Sequence, residues 1–278
     1  MSMLESVASL RAIVRASPAF HRVYAETRPE CLKLVLYRAI GPEELPYALG
    51  ALRASMVQDP RRPLPLPRFF VRDRRSDADN ANVWGPFICR SGRWRTVAPA
   101  YLVTLLRMAS CVDFFVHSFV RTSARAVSSH LQITVAQRLY QFQLCCIFAA
   151  REWIPIRAGA VGITNRYFSY QLGRDSAAHM ETISMFLVTR IEPVLARVLC
   201  EWTEGRPGPW SRFHDFPDFT QPGPDAEDFK RALVLQGLPR LRLFITTPDD
   251  RKRQCMILET LVALWGHRMN PPLAEITV

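Results

Sequence analysis

The longest regular pattern in the chain is an apolar stripe that recurs every three or four residues over about five helical turns. It follows Pro99 and consists of Leu102, Leu105, Ala109, Val112, Val116 and Phe119. A second long helical pattern lies near Ala126–Arg151 and a third begins near Asp175, and Phe229–Gln236 and one helix after Pro239 are expected to close the chain. Strand patterns are sparse. The sequence therefore predicts a mainly α fold, an irregular multi-helix bundle with two long Pro-rich loops.

The N-terminal region carries shorter helical patterns that are separated by turn residues. Ser17 directly precedes Pro18, which is the favoured order for an N-cap and a first helical position. The segment Thr27–Glu30 has the spacing of a capping box, so we expect a new helix to begin there. On the short helix between these two signals, three residues are expected to face inward: Phe20, Val23 and Tyr24.

Proline-rich segments predict how the chain is organised. The first lies within 58–97 and holds Pro60, Pro63, Pro65 and Pro67, which forbid a regular helix. The second lies within 205–228 and holds five prolines. We therefore expect a helical segment 1–57, a Pro/Arg-rich loop 58–97 and a helical body 98–278, with the first and the last forming one compact unit.

The basic charge is uneven along the chain. The formal charge is +11 and 33 of the 36 basic residues are arginines, yet residues 201–278 carry 10 basic and 11 acidic side chains. An acidic partner, if there is one, is expected to bind residues 1–200. The candidate patch for it comprises Arg61, Arg62, Arg68, Arg72, Arg74 and Arg75, with Phe69 and Phe70 between them. Interleaved basic and aromatic residues are typical of single-stranded nucleic-acid binders, but four aspartates in this stretch also fit a solvated loop.

Residue types that could support catalysis occur once in a suggestive arrangement. Ser110, Asp113 and His117 lie at i, i+3 and i+7 and share one helix face. A nucleophilic serine sits on a sharp exposed turn rather than within a helix, so we interpret the three as a polar face with an Asp113–His117 pair. No dinucleotide-binding, Walker, His-Glu-x-x-His or Gly-x-Ser-x-Gly pattern occurs in the sequence. We predict no catalytic residue, no cofactor and no metal site; an enzyme whose site is assembled from distant segments is the least favoured alternative.

Cysteine usage and hydropathy bear on the compartment. The seven cysteines are odd in number, contain no Cys-x-x-Cys spacing and mostly lie in apolar helical patterns, which favours free buried thiols. The charge-free runs Ala126–Gln137 and Leu139–Ala150 contain too many polar side chains for a membrane span. The N-terminus lacks a basic start followed by an apolar core, so no secretory signal is expected. The sequence predicts an intracellular protein, cytoplasmic or nuclear, with no membrane partner.

Two helical segments carry a recognisable combination of residues. The first is Leu10–His21, continued by Val23, Tyr24 and Leu34–Leu36, where a leucine-containing helix leads into an Ala-Ser-Pro turn, an aromatic residue and a tyrosine. The second is Arg138–Phe148, in which an arginine precedes Tyr-x-Phe-x-x-x-Cys. Together they resemble a large family of fungal F-box-like proteins, most of them uncharacterised, and the resemblance spans most of the chain.

The resemblance implies a mainly helical body without catalysis. A complete F-box binds the Skp1-type adaptor of a cullin ubiquitin ligase, while the rest of the chain recruits a target. The Leu-Pro-x-Glu start of an F-box is missing before Met3, so only later F-box helices are expected. The first helix would either pack on the body or offer a partner surface through Leu4, Val7, Leu10, Ile13 and Val14.

The sequence thus favours a non-enzymatic intracellular protein–protein interaction module, with a degenerate F-box-type substrate receptor as its specific form. The alternative is an arginine-driven protein that binds nucleic acid or another acidic surface.

Overall fold

The described part of the chain is helical. The structure is a computed structural model that describes residues 7–41, 43–56, 99–123, 128–152, 174–203 and 224–265. Its helices are α1 Val7–Ala16, α2 Pro18–Ala39, α3 Leu45–Met56, α4 Pro99–Thr122, α5 Ser129–Glu152, α6 Arg174–Thr203, α7 Pro224–Val234, α8 Leu238–Thr246 and α9 Asp250–Trp265. These ranges contain no strand and are 91% helical, which confirms the mainly α fold. The Pro-rich loop predicted over 58–97 lies outside them, and so does the second one except for 224–228, where the prediction is wrong because these residues form the first turns of α7.

The chain divides into two compact units, residues 1–147 and 148–278. In the first unit α1 packs against α2, and both α2 and α3 pack against α4. The helices of segment 1–57 therefore share a core with the start of segment 98–278. The boundary between the units falls within α5, where no change of composition marks it in the sequence.

Two helix starts in the first unit follow the expected chemistry. Ser17 is the N-cap of α2, with extended backbone (φ −153°, ψ 136°), and its Oγ accepts a hydrogen bond from the Ala19 amide at 3.3 Å. Before α3, the Gly41 amide donates to Glu44 Oε2 at 2.8 Å, and the Leu45 amide donates to the Gly41 carbonyl. Each arrangement satisfies a backbone group that a helix terminus leaves without a partner.

The boundary expected at Thr27 is a kink within α2. Thr27 has non-helical backbone angles (φ −111°, ψ 18°), while the helix continues on both sides. Its Oγ1 donates to the carbonyl oxygen of Val23 at 2.7 Å rather than capping a new helix. Hydroxyl groups that bond the carbonyl four residues back bend helices. Thr27 therefore separates a first half of α2, residues 18–26, from a second half, residues 28–39.

α4 and α5 supply much of the buried surface of the first unit. Five of the six residues in the predicted stripe of α4 are buried, and Phe119 is half-buried. By length and composition Tyr101–Thr122 could cross a membrane, but half of its most apolar 18-residue window is buried inside the protein, as in a core helix. In α5 every residue from Leu139 to Cys146 is buried, so this part of the helix is enclosed on all sides, whereas its first turn is exposed. Gln137 Nε2 donates to the Glu43 carbonyl oxygen at 3.1 Å and connects α5 with the turn before α3.

In the second unit the end of the chain differs from the prediction. Three helices, α7, α8 and α9, replace the two that were expected. Gly237, with φ 93°, occupies the left-handed region between α7 and α8, which glycine adopts without steric cost. The missed break follows α8, because Pro248 cannot continue the backbone hydrogen bonds. Asp249 Oδ1 then accepts from the amides of Arg251 at 3.0 Å and Lys252 at 3.4 Å and starts α9.

A buried arginine joins α8 to α9. Arg253 is 5% exposed, and its Nε donates to the Phe244 carbonyl at 2.9 Å while Nη2 donates to the Ile245 carbonyl at 3.2 Å. Its Nη1 donates to Asp250 Oδ1 at 2.5 Å, and Arg197 of α6 lies 3.3 Å from the same oxygen. These bonds hold the pKa of Asp250 below its usual value, with the hydrogen bond from Arg253 as the main cause. The guanidinium therefore satisfies carbonyl groups that the end of α8 leaves open.

Lys230 connects α6 with α7, as Arg253 connects α8 with α9. Lys230 Nζ donates to Glu192 Oε1 of α6 at 2.8 Å and to Glu227 Oε1 of α7 at 2.9 Å. Burial alone would lower the pKa of Lys230, but the two carboxylates more than offset it, so the pKa lies above the usual value. Lys230 is therefore charged and doubly paired at neutral pH.

Candidate interaction surface

The first half of α2 is open to solvent. Every side chain in residues 18–26 is exposed except that of Tyr24, which is half-buried. Phe20 and Val23 are 56% and 55% exposed. They lie one turn apart on one face and form a continuous apolar patch. The prediction that Phe20 and Val23 face inward is wrong, because helical spacing alone does not say whether another element covers that face.

The exposed patch extends along α2 as an outer stripe, defined here as Phe20, Val23, Glu26, Glu30 and Leu34. Phe20, Val23 and Glu26 lie three residues apart before the kink, and Glu30 and Leu34 lie four residues apart after it, so each group shares one face of its own half of α2. All five are exposed, and Leu34 is 45% exposed although it lies in the second half of the helix. The stripe is thus a narrow surface of three apolar residues with two carboxylates between them.

The two carboxylates of the outer stripe are exposed. Within the described residues, neither Glu26 nor Glu30 takes part in a hydrogen bond or an ion pair. Arg28 lies close to the opposite side of the helix, and Arg22 lies about a quarter turn from the middle of the stripe. α2 as a whole carries four basic and two acidic side chains, so these two carboxylates do not make its surface negative.

Three of the five partner residues predicted at the N-terminus, Leu10, Ile13 and Val14, have a described burial. Leu10 is buried, whereas Ile13 and Val14 are half-buried, and α1 packs against α2. Val7 lies in the first turn of α1, and Leu4 lies outside the described residues. Leu10 therefore packs on the body, which is one of the two expectations for this helix; the other is that it offers a partner surface. The larger apolar exposure lies on α2 instead.

The arginine cluster predicted for an acidic partner, Arg61, Arg62, Arg68, Arg72, Arg74 and Arg75, lies entirely outside the described residues. Whether these side chains converge on one surface stays a prediction.

The triad-like residues of α4 form an exposed polar face. Asp113 Oδ1 lies 3.0 Å from His117 Nδ1, and the two side chains are 67% and 66% exposed. Ser110 is also exposed. This confirms the predicted i, i+4 pair. Among the described residues, no three His, Cys, Asp or Glu side chains come together as a group that could bind a metal ion.

The thiols divide into buried and exposed groups. All six described cysteines are free; Cys31, Cys111, Cys145 and Cys146 are buried, while Cys200 and Cys255 are exposed. The prediction of buried thiols is therefore wrong for the last two, and Cys89 lies outside the described residues. Burial raises the pKa of both Cys145 and Cys146 far above the usual value, so they are protonated and poor nucleophiles at neutral pH.

Tyr140 of α5 is also buried. Burial is the main cause that raises the pKa of its hydroxyl group, and the nearby carboxylates of Glu44 and Asp113 raise it further.

No known family, curated protein or solved structure matches this chain. The resemblance to fungal F-box-like proteins therefore stays a prediction that rests on the residues given above.

Proposed function

We propose that the chain is a non-enzymatic protein–protein interaction module that binds its partner through the outer stripe of α2. The observation that supports this proposal most directly is the exposure of Phe20 and Val23, side by side, by more than half of each side chain. Complete burial of a fully exposed side chain of this kind contributes about 1.5–3 kcal/mol, so burial of the exposed half of each contributes about 1 kcal/mol. The patch therefore offers binding energy that folding leaves unused.

The way in which α2 is anchored favours this role. Its second half is held in the core by Cys31, Leu32, Val35 and Leu36, each at most 5% exposed. The first half continues from that anchor as helix, so Phe20 and Val23 keep a fixed spacing before any partner arrives. A surface that is already ordered loses less conformational entropy on binding. Recognition of a helix face by another helix is a common mode for patches of this width.

The specific form of the proposal is a degenerate F-box-type substrate receptor inside the cell. It is supported by the resemblance of Leu10–Tyr24 and Arg138–Phe148 to fungal F-box-like proteins, which implies a Skp1-type adaptor and a recruited target as partners. The serine of that turn, Ser17, caps α2, and Phe20 lies in the first turn of the helix. Adaptor binding is the part of the proposal that distinguishes this receptor form from a general interaction module.

The test is a calorimetric titration of the purified full-length chain with a purified fungal Skp1-type adaptor. We expect binding that is weakened at least about tenfold by the double substitution Phe20→Ser/Val23→Ser, because two buried apolar contacts are lost. Leu243→Ser is the matched control, because Leu243 is 52% exposed on α8 in the other unit. Absence of binding to the adaptor would remove the receptor form, and equal weakening by Leu243→Ser would remove the assignment to α2.

A second candidate function is supported by charge alone. Residues 1–100 carry 16 basic and 9 acidic side chains, and residues 101–200 carry 10 and 5. A protein that binds nucleic acid or a similar polyanion through these arginines is retained on heparin, and its affinity falls linearly with salt on logarithmic axes. A chain that passes through heparin unretained at low salt is not such a binder.

A further inference from the structure

We infer that Ser17 is a phosphorylation site for a proline-directed serine/threonine kinase, and that its phosphate stabilises the start of α2. This site is independent of what Phe20 and Val23 bind. Three observations carry it: a Ser-Pro sequence at the surface, the absence of buried side chains around it, and the basic residues and amide groups that surround the hydroxyl.

The Ser-Pro sequence is accessible. Serine or threonine is followed by proline at two places in the chain, Ser17-Pro18 and Thr247-Pro248. Thr247 is only 7% exposed, and its Oγ1 accepts a hydrogen bond from the Asp249 amide at 3.4 Å. Ser17 is half-buried, and Pro18 after it is exposed. Of the two candidate hydroxyl groups, that of Ser17 is therefore the one that an enzyme reaches at the surface.

The segment around Ser17 is held by few apolar contacts. No side chain from Ala12 to Thr27 is buried. Ser17 already has extended backbone, the form in which a kinase binds its acceptor residue, because α1 ends at Ala16 and α2 begins at Pro18. Local opening costs little free energy where few apolar contacts are lost. A kinase can therefore bind this segment while the core of the first unit stays folded.

The transfer step needs only ATP and the kinase as co-reactants. The hydroxyl oxygen of Ser17 attacks the γ-phosphorus of ATP. The bond between that phosphorus and the β–γ bridging oxygen breaks, and ADP leaves with the electron pair. The hydroxyl proton passes to the catalytic aspartate of the kinase and then to water. The product is a phosphoserine that carries a charge between about −1.5 and −2 and three strong acceptor oxygens.

The surroundings of Ser17 favour a phosphate group. Its Oγ lies 3.3 Å from the Ala19 amide, so a phosphate on this oxygen is placed beside the first amides of a 22-residue helix, which stabilise negative charge. No acidic residue occurs between Glu5 and Glu26, whereas that stretch holds three arginines and one histidine. One of these arginines, Arg15, lies in the last turn of α1 and offsets the negative end of that helix.

The phosphate therefore stabilises the exposed first half of α2 in its helical form. It replaces a neutral hydroxyl acceptor at the N-cap by charged oxygens, and charge-assisted hydrogen bonds are the stronger ones. Residues 31–39 gain nothing, because the core already holds them. Phosphorylation thus changes the order of one half of α2 and leaves the other half as it is.

The site is tested with the full-length chain, ATP and a purified proline-directed kinase of the mitogen-activated class, and mass spectrometry locates the phosphate. We expect phosphate at Ser17 and none at Thr247. Ser128 is the matched control within the same chain, since it is exposed and accepts from the Leu131 amide at 3.2 Å but is not followed by proline. Pro18→Ala keeps the hydroxyl and is expected to abolish modification of Ser17.

Hydrogen exchange of the phosphorylated and unmodified chains tests the effect on α2. We expect exchange in residues 18–26 to slow by about twofold to fivefold, and exchange in residues 31–39 to stay unchanged. Absence of phosphate at Ser17, or equal modification of Ser17 and Ser128, overturns the site. Unchanged or faster exchange in residues 18–26 overturns the stabilising role. Partner binding through Phe20 and Val23 is measured on the unmodified chain, so its failure is distinguishable from either result.

Discussion

The two halves of α2 contain similar apolar residues but use them differently. In the second half, Val35 and Leu36 are completely buried. In the first half, Phe20 and Val23 leave more than half of their side chains in solvent. α2 packs against α4, and every buried residue of α2 lies after Thr27. Residue type therefore did not decide which half entered the core; the neighbouring helices did.

The division assigns a different role to each half. The second half contributes to stability, because its side chains are removed from water and closely packed. The first half contributes little to stability and is available for recognition. Thr27 marks the change, since its hydroxyl bonds the Val23 carbonyl and interrupts the regular helix there.

The largest expected difference is between two truncations in α2. Leu36→Ala removes a completely buried side chain and is expected to lower the free energy of unfolding by about 3 kcal/mol. Phe20→Ala removes a larger but exposed side chain and is expected to change it by less than about 0.5 kcal/mol. Urea denaturation of the two full-length variants measures both values. A loss for Phe20→Ala that equals the loss for Leu36→Ala would break the division of α2.

A pair of arginine substitutions extends the comparison beyond apolar residues. Arg253→Ala is expected to destabilise the second unit by about 2–3 kcal/mol, because it leaves the Phe244 and Ile245 carbonyls and Asp250 without their buried donor. Arg22→Ala, on the exposed half of α2, is expected to have an effect close to zero. Thermal denaturation followed by circular dichroism compares them. Similar effects of both substitutions would show that burial is not the deciding factor.

Removal of the N-cap of α2 tests whether the two halves of this helix open independently. Ser17→Ala deletes the hydrogen bond to the Ala19 amide, and loss of such a cap costs about 1 kcal/mol. Hydrogen exchange is expected to accelerate several-fold in residues 18–26 and to stay unchanged in residues 31–39, which are held by the core. Ser17→Asp, which keeps an N-cap acceptor, is the control. Faster exchange throughout α2 would mean that the halves open together.

The smallest expected effect is on the loss of folding stability at acid pH. The pKa of Asp250 is lower in the folded chain than in the unfolded chain, so its contribution to stability is present above about pH 4 and disappears as the pH falls through the folded value. Asp250→Asn is expected to make the stability of the second unit slightly less dependent on pH between about pH 5 and pH 2. Glu26→Gln, at a carboxylate without an ion pair in the described residues, is the control. If stability falls with pH in Asp250→Asn as steeply as in the original chain, the Arg253–Asp250 interaction is not the cause of this pH dependence.

The sequence predicted the helices well where periodicity and turn residues agree. Pro99 begins α4, Ser17 caps α2, and the stripe from Leu102 to Val116 is buried as expected. These features depend on local chemistry and on a long apolar period, which one sequence contains in full.

The sequence failed where the outcome depends on which element lies opposite. The short pattern of Phe20 and Val23 suits a buried face equally well, and nothing local shows that none of the described helices covers it. Arg253 was missed because its partners are the carbonyl groups of a preceding helix, and the break at Pro248 that separates α8 from α9 was missed with it. The predicted partner residues lie in or just before α1, whereas the exposed apolar residues Phe20 and Val23 lie on α2, so the structure adds a second candidate surface and the first stays a prediction.

The exposure of Phe20 is the central claim, and hydroxyl-radical footprinting of the full-length chain tests it most directly. Aromatic side chains in solvent are oxidised readily, whereas those in a packed core are shielded. We predict rapid modification of Phe20 and none within the same exposure time at Phe115 or Phe142, both of which are completely buried. Protection of Phe20 equal to that of Phe142 would contradict the account, because no apolar surface would then remain on the first half of α2.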